Sequence, residues 1–298
     1  MTAKVTLSAT IPVAQYANLQ PSFEVEGDTV DAAMSTALET MKRVWDSVAD
    51  KPLQLRDEPT VQASPGVPLV CWASGEVVYF DPVEHRYSPG KWLSGSAFAG
   101  QFKGSFPAEL IAGKMAAKSG VEVGQILDMW SKNAEASSLV GSSVHAALEL
   151  YGKYLSTSEA VKGTDESALT KNLILRPIVQ AFFAEHAAEV ATYEAFVADP
   201  VLKHCGQIDR LLHVGDKTVR VQDFKSNADL SKKETIAAPF KGVVANTSLG
   251  AYWLQLSFYS RILESHGYTV EGLDIFHWDG VEWVTYSHDV VDISEAIK

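Results

Sequence analysis

The sequence predicts an α+β (α/β) protein in which a small N-terminal ββα unit precedes a larger block of alternating helices and strands. Three observations predict it. Apolar residues alternate with period two over residues 4–27 and then recur at helical spacing over 30–48. Helical stripes occupy 107–188. Strand-like segments joined by glycine turns fill 192–224 and 273–286, with one helix between them.

Taken in order, Val5, Leu7, Ala9 and Ile11, then Phe23 and Val25, give two strands around a turn-like Tyr16–Pro21. Asp28-Thr29 starts a helix whose stripe is Val30, Met34, Leu38, Met41, Trp45 and Val48. This unit spans residues 1–50. Residues 51–68 are rich in proline and charge and form the expected linker. The second domain, 69–298, opens with strands at Leu69–Trp72 and Val77–Phe80 and a turn at Pro89-Gly90. Helices are expected at 107–119, at 122–136, from Gly141 with the stripe Val144, Leu148, Tyr151 and Leu155, and at 168–188. Strands follow at Thr192–Ala198, Gly206–Val214 and Thr218–Phe224, the last two joined by Gly215-Asp216-Lys217. A helix at 250–266 ends at His266-Gly267. Asp279-Gly280 then joins a final hairpin, Leu273–Trp278 and Val281–Tyr286.

Bulk properties narrow the function classes. The 298 residues are 46% hydrophobic, which suits an ordinary globular chain with a sizeable core. No apolar run reaches the length of a membrane span, and the N-terminus lacks the order of a secretory signal, so a cytoplasmic protein is expected. Cys71 and Cys205 are the two cysteines, too few for a disulfide framework or for an iron–sulfur cluster with about four Cys ligands. The net charge of −12 argues against a surface coated in basic groups. Charge is uneven, however: Lys203–Lys241 holds eight Lys/Arg against five Asp/Glu, while acids concentrate over 24–58.

The segment that carries chemistry runs from Gly206-Gln207-Ile208-Asp209-Arg210-Leu211, through a turn, to Val221-Gln222-Asp223-Phe224-Lys225. Antiparallel pairing of two strands brings Asp209 beside Asp223, and period-two alternation puts Lys225 on the face of Asp223. Two carboxylates suit a hard divalent cation. Such a cation offsets charge in phosphodiester hydrolysis, and a neighbouring lysine contacts the phosphate or orients water. The Phe224 carbonyl is a further candidate ligand. A surface hairpin with solvated charges is the bland alternative. His145 and Glu149 lie at i and i+4 on one helix face, either completing the metal site or forming a surface polar pair. Gln255 and Tyr259 share the same spacing, opposite a buried stripe of Leu254, Phe258 and Ile262, where they are placed to hydrogen-bond phosphates or sugars. Lys232 and Lys233 sit in a loop able to follow a DNA backbone.

The motif order Gly-x-x-x-His-x-x-x-Glu (141–149), Gly-x-Ile-Asp-Arg-Leu (206–211), Asp-Phe-Lys (223–225) and Gln-x-x-x-Tyr (255–259) resembles the RecB-like branch of the PD-(D/E)XK nuclease superfamily. Phe80–Tyr87 and the Trp130 helix resemble its phage-type exonucleases. The resemblance covers roughly residues 75–288. It implies a mixed central sheet flanked by helices, with a restriction-endonuclease-like core. It also implies Mg²⁺ or Mn²⁺ held by His145, Asp209, Asp223 and the Phe224 carbonyl, with Lys225 as the catalytic lysine. Gln255 and Tyr259 become supporting residues, Glu149 an additional one, and Glu194 a support behind the ligands. The implied activity is exonucleolytic hydrolysis of DNA in recombination or end processing. DNA is then the main partner, beside a recombination or single-strand-annealing protein and further copies of the chain. An endonuclease that nicks internally, and a non-catalytic DNA- or protein-binding module on the same fold, are the competing expectations. The chain departs from the cysteine-rich CRISPR-associated members and carries no helicase motif.

Overall fold

The computed structural model describes residues 3–8, 11–14, 17–19, 22–48, 66–156 and 169–297. The chain divides into two compact units, Met1–Ser64 and Pro65–Lys298. Most of the expected linker and the start of the expected 168–188 helix lie outside the described residues, as do the side chains of Val5, Leu7, Ile11, Phe23 and Val48.

The first unit is more elaborate than ββα. Strands β1 (Ala3–Ser8), β2 (Ile11–Ala14), β3 (Ala17–Leu19) and β4 (Ser22–Gly27) precede helix α1 (Val30–Val48). β1 pairs with β4 and β2 with β3, both antiparallel. Asn18 reads locally as a turn residue, yet it pairs with Pro12, so ladder pairing overrides the local signal. Thr29 caps α1 as expected, its Oγ1 accepting from the Ala32 N–H at 3.2 Å. The buried face of α1 is Ala33, Ala37 and Met41, whereas Val30, Met34 and Leu38 of the expected stripe are exposed. Small alanines let the helix lie close on β1 and β4, and the larger residues turn outward.

In the second unit, β5 (Val67–Val70), β6 (Val77–Asp81) and β7 (Arg86–Ser88) form an antiparallel three-stranded sheet. β5 therefore begins inside the expected linker. After β8 (Leu93–Ser94) come α2 (Gly95–Gly100), α3 (Ala108–Ser119), α4 (Val123–Leu155) and α5 (Leu175–His186). Then follow β9 (Ala191–Asp199), β10 (His204–His213), β11 (Thr218–Lys225), α6 (Ser248–Ser265), β12 (Thr269–Trp278) and β13 (Trp283–His288).

Six of these strands make a mixed sheet flanked by helices, in the order β13-β12-β11-β10-β8 with β9 also on β10. β11 and β12 run parallel, connected through α6, as a crossover requires. One face packs on α2 and α6 through Phe98, Leu254, Phe258, Val221 and Ile275. The other packs on α4 and α5 through Leu148, Phe182, Phe224 and Phe276.

Three elements differ from the sequence expectation. The helices expected at 122–136 and from Gly141 are one 33-residue helix, α4. A lone Gly costs a helix only about 1 kcal/mol, which the flanking turns absorb. At Gly141 a Cβ would lie 3.2 Å from Ser226 Oγ, so the missing side chain admits the loop after Lys225. α5 starts at Leu175, where Asn172 Oδ1 accepts from the Ile174 and Leu175 N–H groups. α6 is buried almost all round rather than two-faced. Among the described residues, no helix is long and apolar enough to cross a membrane.

Candidate metal centre

The site lies where two paired strands part. β10 is laddered to β11 only over Arg210–His213 and Val219–Gln222. Beyond that point β11 continues against β12 alone, and β10 meets β8 only at His204 and Cys205. One edge of β10 is thus left without a strand partner over residues 206–209. Asp209 spans the opening: its Oδ2 accepts from the Phe224 N–H at 2.8 Å, replacing a lost ladder bond.

Asp223 and Lys225 stand two residues apart on the free end of β11, and Lys225 Nζ is in ion-pair contact with Asp223 Oδ2. That buried oxygen accepts no well-formed hydrogen bond. Lys225 Nζ also donates to the Phe224 carbonyl at 3.3 Å and lies 4.7 Å from the centre of the Tyr252 ring. Tyr252 Oη in turn accepts from Asn227 Nδ2 at 2.8 Å, which ties down the chain just after the lysine.

α4 crosses this opening and delivers His145, whose Nδ1 is 3.3 Å from Asp209 Oδ2. One turn on, Glu149 pairs with Lys153. β9 delivers Glu194. Facing reverses around that residue: Ala191 and Tyr193 pack toward α4 and α5, but Ala195 and Val197 pack toward α6. Glu194 itself has φ of 53°, a left-handed conformation that costs a non-glycine residue on the order of 1 kcal/mol. The reversal brings its carboxylate to the metal side. His145, Glu194 and Asp209 each offer one ligand atom, all within 4.8 Å of one another. These three residues could hold a metal ion. They line a cavity of about 840 Å³ together with Glu149, Phe224 and Lys225.

The electrostatics suit a cation. Burial works against every charge here, and the outcome depends on neighbours. Burial, with Asp209 and Glu149 adding to it, pushes the Glu194 carboxyl up to about 7. Burial and the Asp209 charge likewise push Asp223 up. Asp209 is held low despite its burial, by His145, Lys225 and the Phe224 N–H. His145 and Lys225 are raised against the pull of burial, His145 chiefly by Asp209 and Lys225 chiefly by Asp223. A divalent cation at these carboxylates would offset their mutual repulsion.

The structure therefore brings His145, Asp209, Asp223, Phe224 and Lys225 together, with Glu149 at the rim. Glu194, expected in a supporting position, is one of the three residues that could hold a metal ion, while Asp223 lies behind Lys225 rather than on the cavity wall. Tyr259 is buried rather than presented to a ligand, which removes a direct contact but leaves the supporting role open: Asp223 and Asp209 both act on its hydroxyl, and its ring packs where Cβ atoms on Gly95 and Gly206 would come within 2.3 and 2.1 Å. Gln255 donates to Tyr259 Oη at 2.9 Å and is half-buried. Lys232 reaches the cavity wall; Lys233 does not line it and is bridged through its backbone to Thr247.

No protein-family model matches the chain, and no curated protein matches it.

Proposed function

We propose that the second unit is a divalent-metal-dependent deoxyribonuclease that degrades DNA from an end. One observation carries this: an imidazole and two carboxylates converge within 4.8 Å in a cleft walled by a lysine. The donor set fits Mn²⁺ or Mg²⁺, since carboxylates suit hard cations and an imidazole shifts preference toward Mn²⁺. Asp223 stands behind this set and acts on it through its ion pair with Lys225. A cation held there would supply Lewis-acid charge stabilisation and an activated water.

The chain's own residues supply the rest. Lys225, kept protonated by Asp223 and Asp209, donates to a phosphate oxygen where negative charge develops. His145 and the Phe224 N–H fix the Asp209 carboxylate, so the ligand geometry exists before substrate arrives. Small residues on the cleft-facing side of α4, among them Ala134, Ser138 and Ser142, leave room for a sugar–phosphate strand.

The test is incubation of end-labelled linear duplex and covalently closed circular DNA with Mg²⁺ or Mn²⁺, with products resolved by length. Linear DNA should shorten progressively, the circle should survive, and EDTA should stop the reaction. Lys225→Ala should leave the linear DNA intact. Nicking of the circle would replace end-directed degradation with an endonuclease, and an inert protein under every metal would end the nuclease reading.

A further inference from the structure

Beside the metal cleft lies a second cavity of about 690 Å³, whose walls include Phe106, Pro107, Lys233 and Thr247. Lys232 lines both cavities, so the two adjoin at that side chain. Phe106 is 59% exposed, whereas every other phenylalanine with a described side chain is buried or half-buried. It is not alone. The Trp130 ring of α4 lies 5.8 Å from it at an interplanar angle of 58°, and Lys232 Nζ is 5.7 Å from its centre.

The backbone holds this ring outward. Gly104 N–H donates to the Thr235 carbonyl at 2.9 Å and Ala237 N–H to the Phe102 carbonyl at 2.9 Å, clamping the segment before Phe106 onto the lysine loop. A Cβ on Gly104 would meet Thr235 Cβ at 2.8 Å, so the clamp depends on that glycine. On the other side, the Ala108 N–H donates to the Phe106 carbonyl at 2.8 Å as α3 begins. The result is a fixed, exposed aromatic face with a cation beside it and an indole behind it. Those are the parts from which proteins build sequence-tolerant platforms for unpaired bases.

Resting on the nuclease reading of the cleft, we propose that Phe106, backed by Trp130 and flanked by Lys232, stacks an unpaired nucleobase of the same DNA strand that enters the metal centre. The substrate strand is therefore unpaired where it crosses Phe106, as in single-stranded DNA or at the frayed end of a linear duplex. Trp130 and His145 both lie on α4, fifteen residues apart, which is about 22 Å along the axis. That distance corresponds to about six stacked nucleotides. A base on Phe106 thus belongs to the strand a few nucleotides away from the bond being cut. Lys232 neutralises an intervening phosphate and contributes salt-dependent affinity.

Binding in EDTA separates this proposal from catalysis. The full chain, Phe106→Ala and Phe106→Trp are titrated with a fluorescent single strand, with the same strand carrying one abasic position at successive sites, and with a blunt duplex of the same sequence. Phe106→Ala should weaken single-strand binding about tenfold, leave duplex binding within about twofold, and be rescued by Phe106→Trp. An abasic position within about six nucleotides of one end should reproduce the loss in the parent chain. It should add nothing in Phe106→Ala, because the two changes remove one contact. Unchanged single-strand binding by Phe106→Ala, an equal loss on duplex, or a parent chain that does not bind single strands would each overturn the platform. Cleavage is scored separately. A parent chain that cleaves with Phe106→Ala unaltered in binding loses the platform but keeps the nuclease. An inert parent chain with the Phe106 and abasic effects intact loses the nuclease but keeps the platform.

Discussion

The two ends of the β10–β11 pair follow the same alternation and reach opposite outcomes. At the closed end every buried polar group finds a partner. Fully buried Arg210 donates to Tyr193 Oη at 3.1 Å, to Glu189 at 2.6 Å and to Gln222. Gln222 passes the network to Asp274 at 2.9 Å, which also receives Arg220 at 2.7 and 2.9 Å and Ser287 at 2.8 Å. At the open end, one residue further along each strand, the ladder has separated and acids crowd together. Burial and the Asp209 charge raise both the Asp223 and the Glu194 carboxyls there. Closed, satisfied polar networks specify a fold, whereas unsatisfied ones of like sign mark a place that waits for a ligand.

The sharpest break of this contrast is Asp209→Asn. Asn Oδ1 can still accept from the Phe224 N–H, so the bridge across the open strands survives. The charge that His145 and a metal would share is gone. Cleavage of linear DNA should fall by about 10³-fold or more, while Tm in EDTA moves by no more than roughly 2 °C. Loss of activity together with a large fall in Tm would mean that Asp209 is structural.

Asp274→Ala should do the converse. It strands Arg220, Gln222 and Ser287, none of which lines the metal cavity, and breaking such a buried pair costs about 3 kcal/mol. Tm should drop by roughly 9 °C while cleavage at low temperature is retained. The pH dependence has a definite sign. Burial opposes the Asp274 charge, but hydrogen bonds from Arg220, Gln222 and Ser287 hold its carboxyl below the ordinary value. Its contribution is therefore fully present above the unfolded value, about 3.9, and is lost as pH falls through the lower folded value. Thermal melts from pH 7 down to pH 2 should show the difference between parent and Asp274→Ala narrowing only at the acid end. A constant difference across that range would remove the linkage.

How much of this could be read in the sequence follows the same division. The Asp209, Asp223 and Lys225 cluster was legible because it needs only a tight turn and period-two alternation, both local. The mixed sheet between helices followed from the element pattern and the motif order. Glu194 as a candidate donor was not legible, because its position depends on one left-handed residue that reverses strand facing within an apolar run. The burial of Tyr259 has a reason the sequence does contain. Only Arg261 and Glu264 are charged across α6, and a helix that apolar is buried all round. The juxtaposition of Phe106, Trp130 and Lys232 joins three distant segments and leaves no periodic trace.

Glu194→Gln is the smallest effect and the finest probe of the comparison. Glu194 is pushed up to about 7 by burial, Asp209 and Glu149, so at pH 8 its ionised form costs the folded protein stability that an amide would not. In EDTA at pH 8, Glu194→Gln should melt about 2 °C higher than the parent. The sign should invert with metal. Mn²⁺ raises the parent's Tm by mass action on the folded state, and a chain lacking one of three donors gains less from the same concentration. A parallel rise in both proteins would move Glu194 back behind the ligands. A lower Tm for Glu194→Gln in EDTA would show that its charge stabilises the open end, and the distinction between the two ends of β10 and β11 would fail where the acids meet.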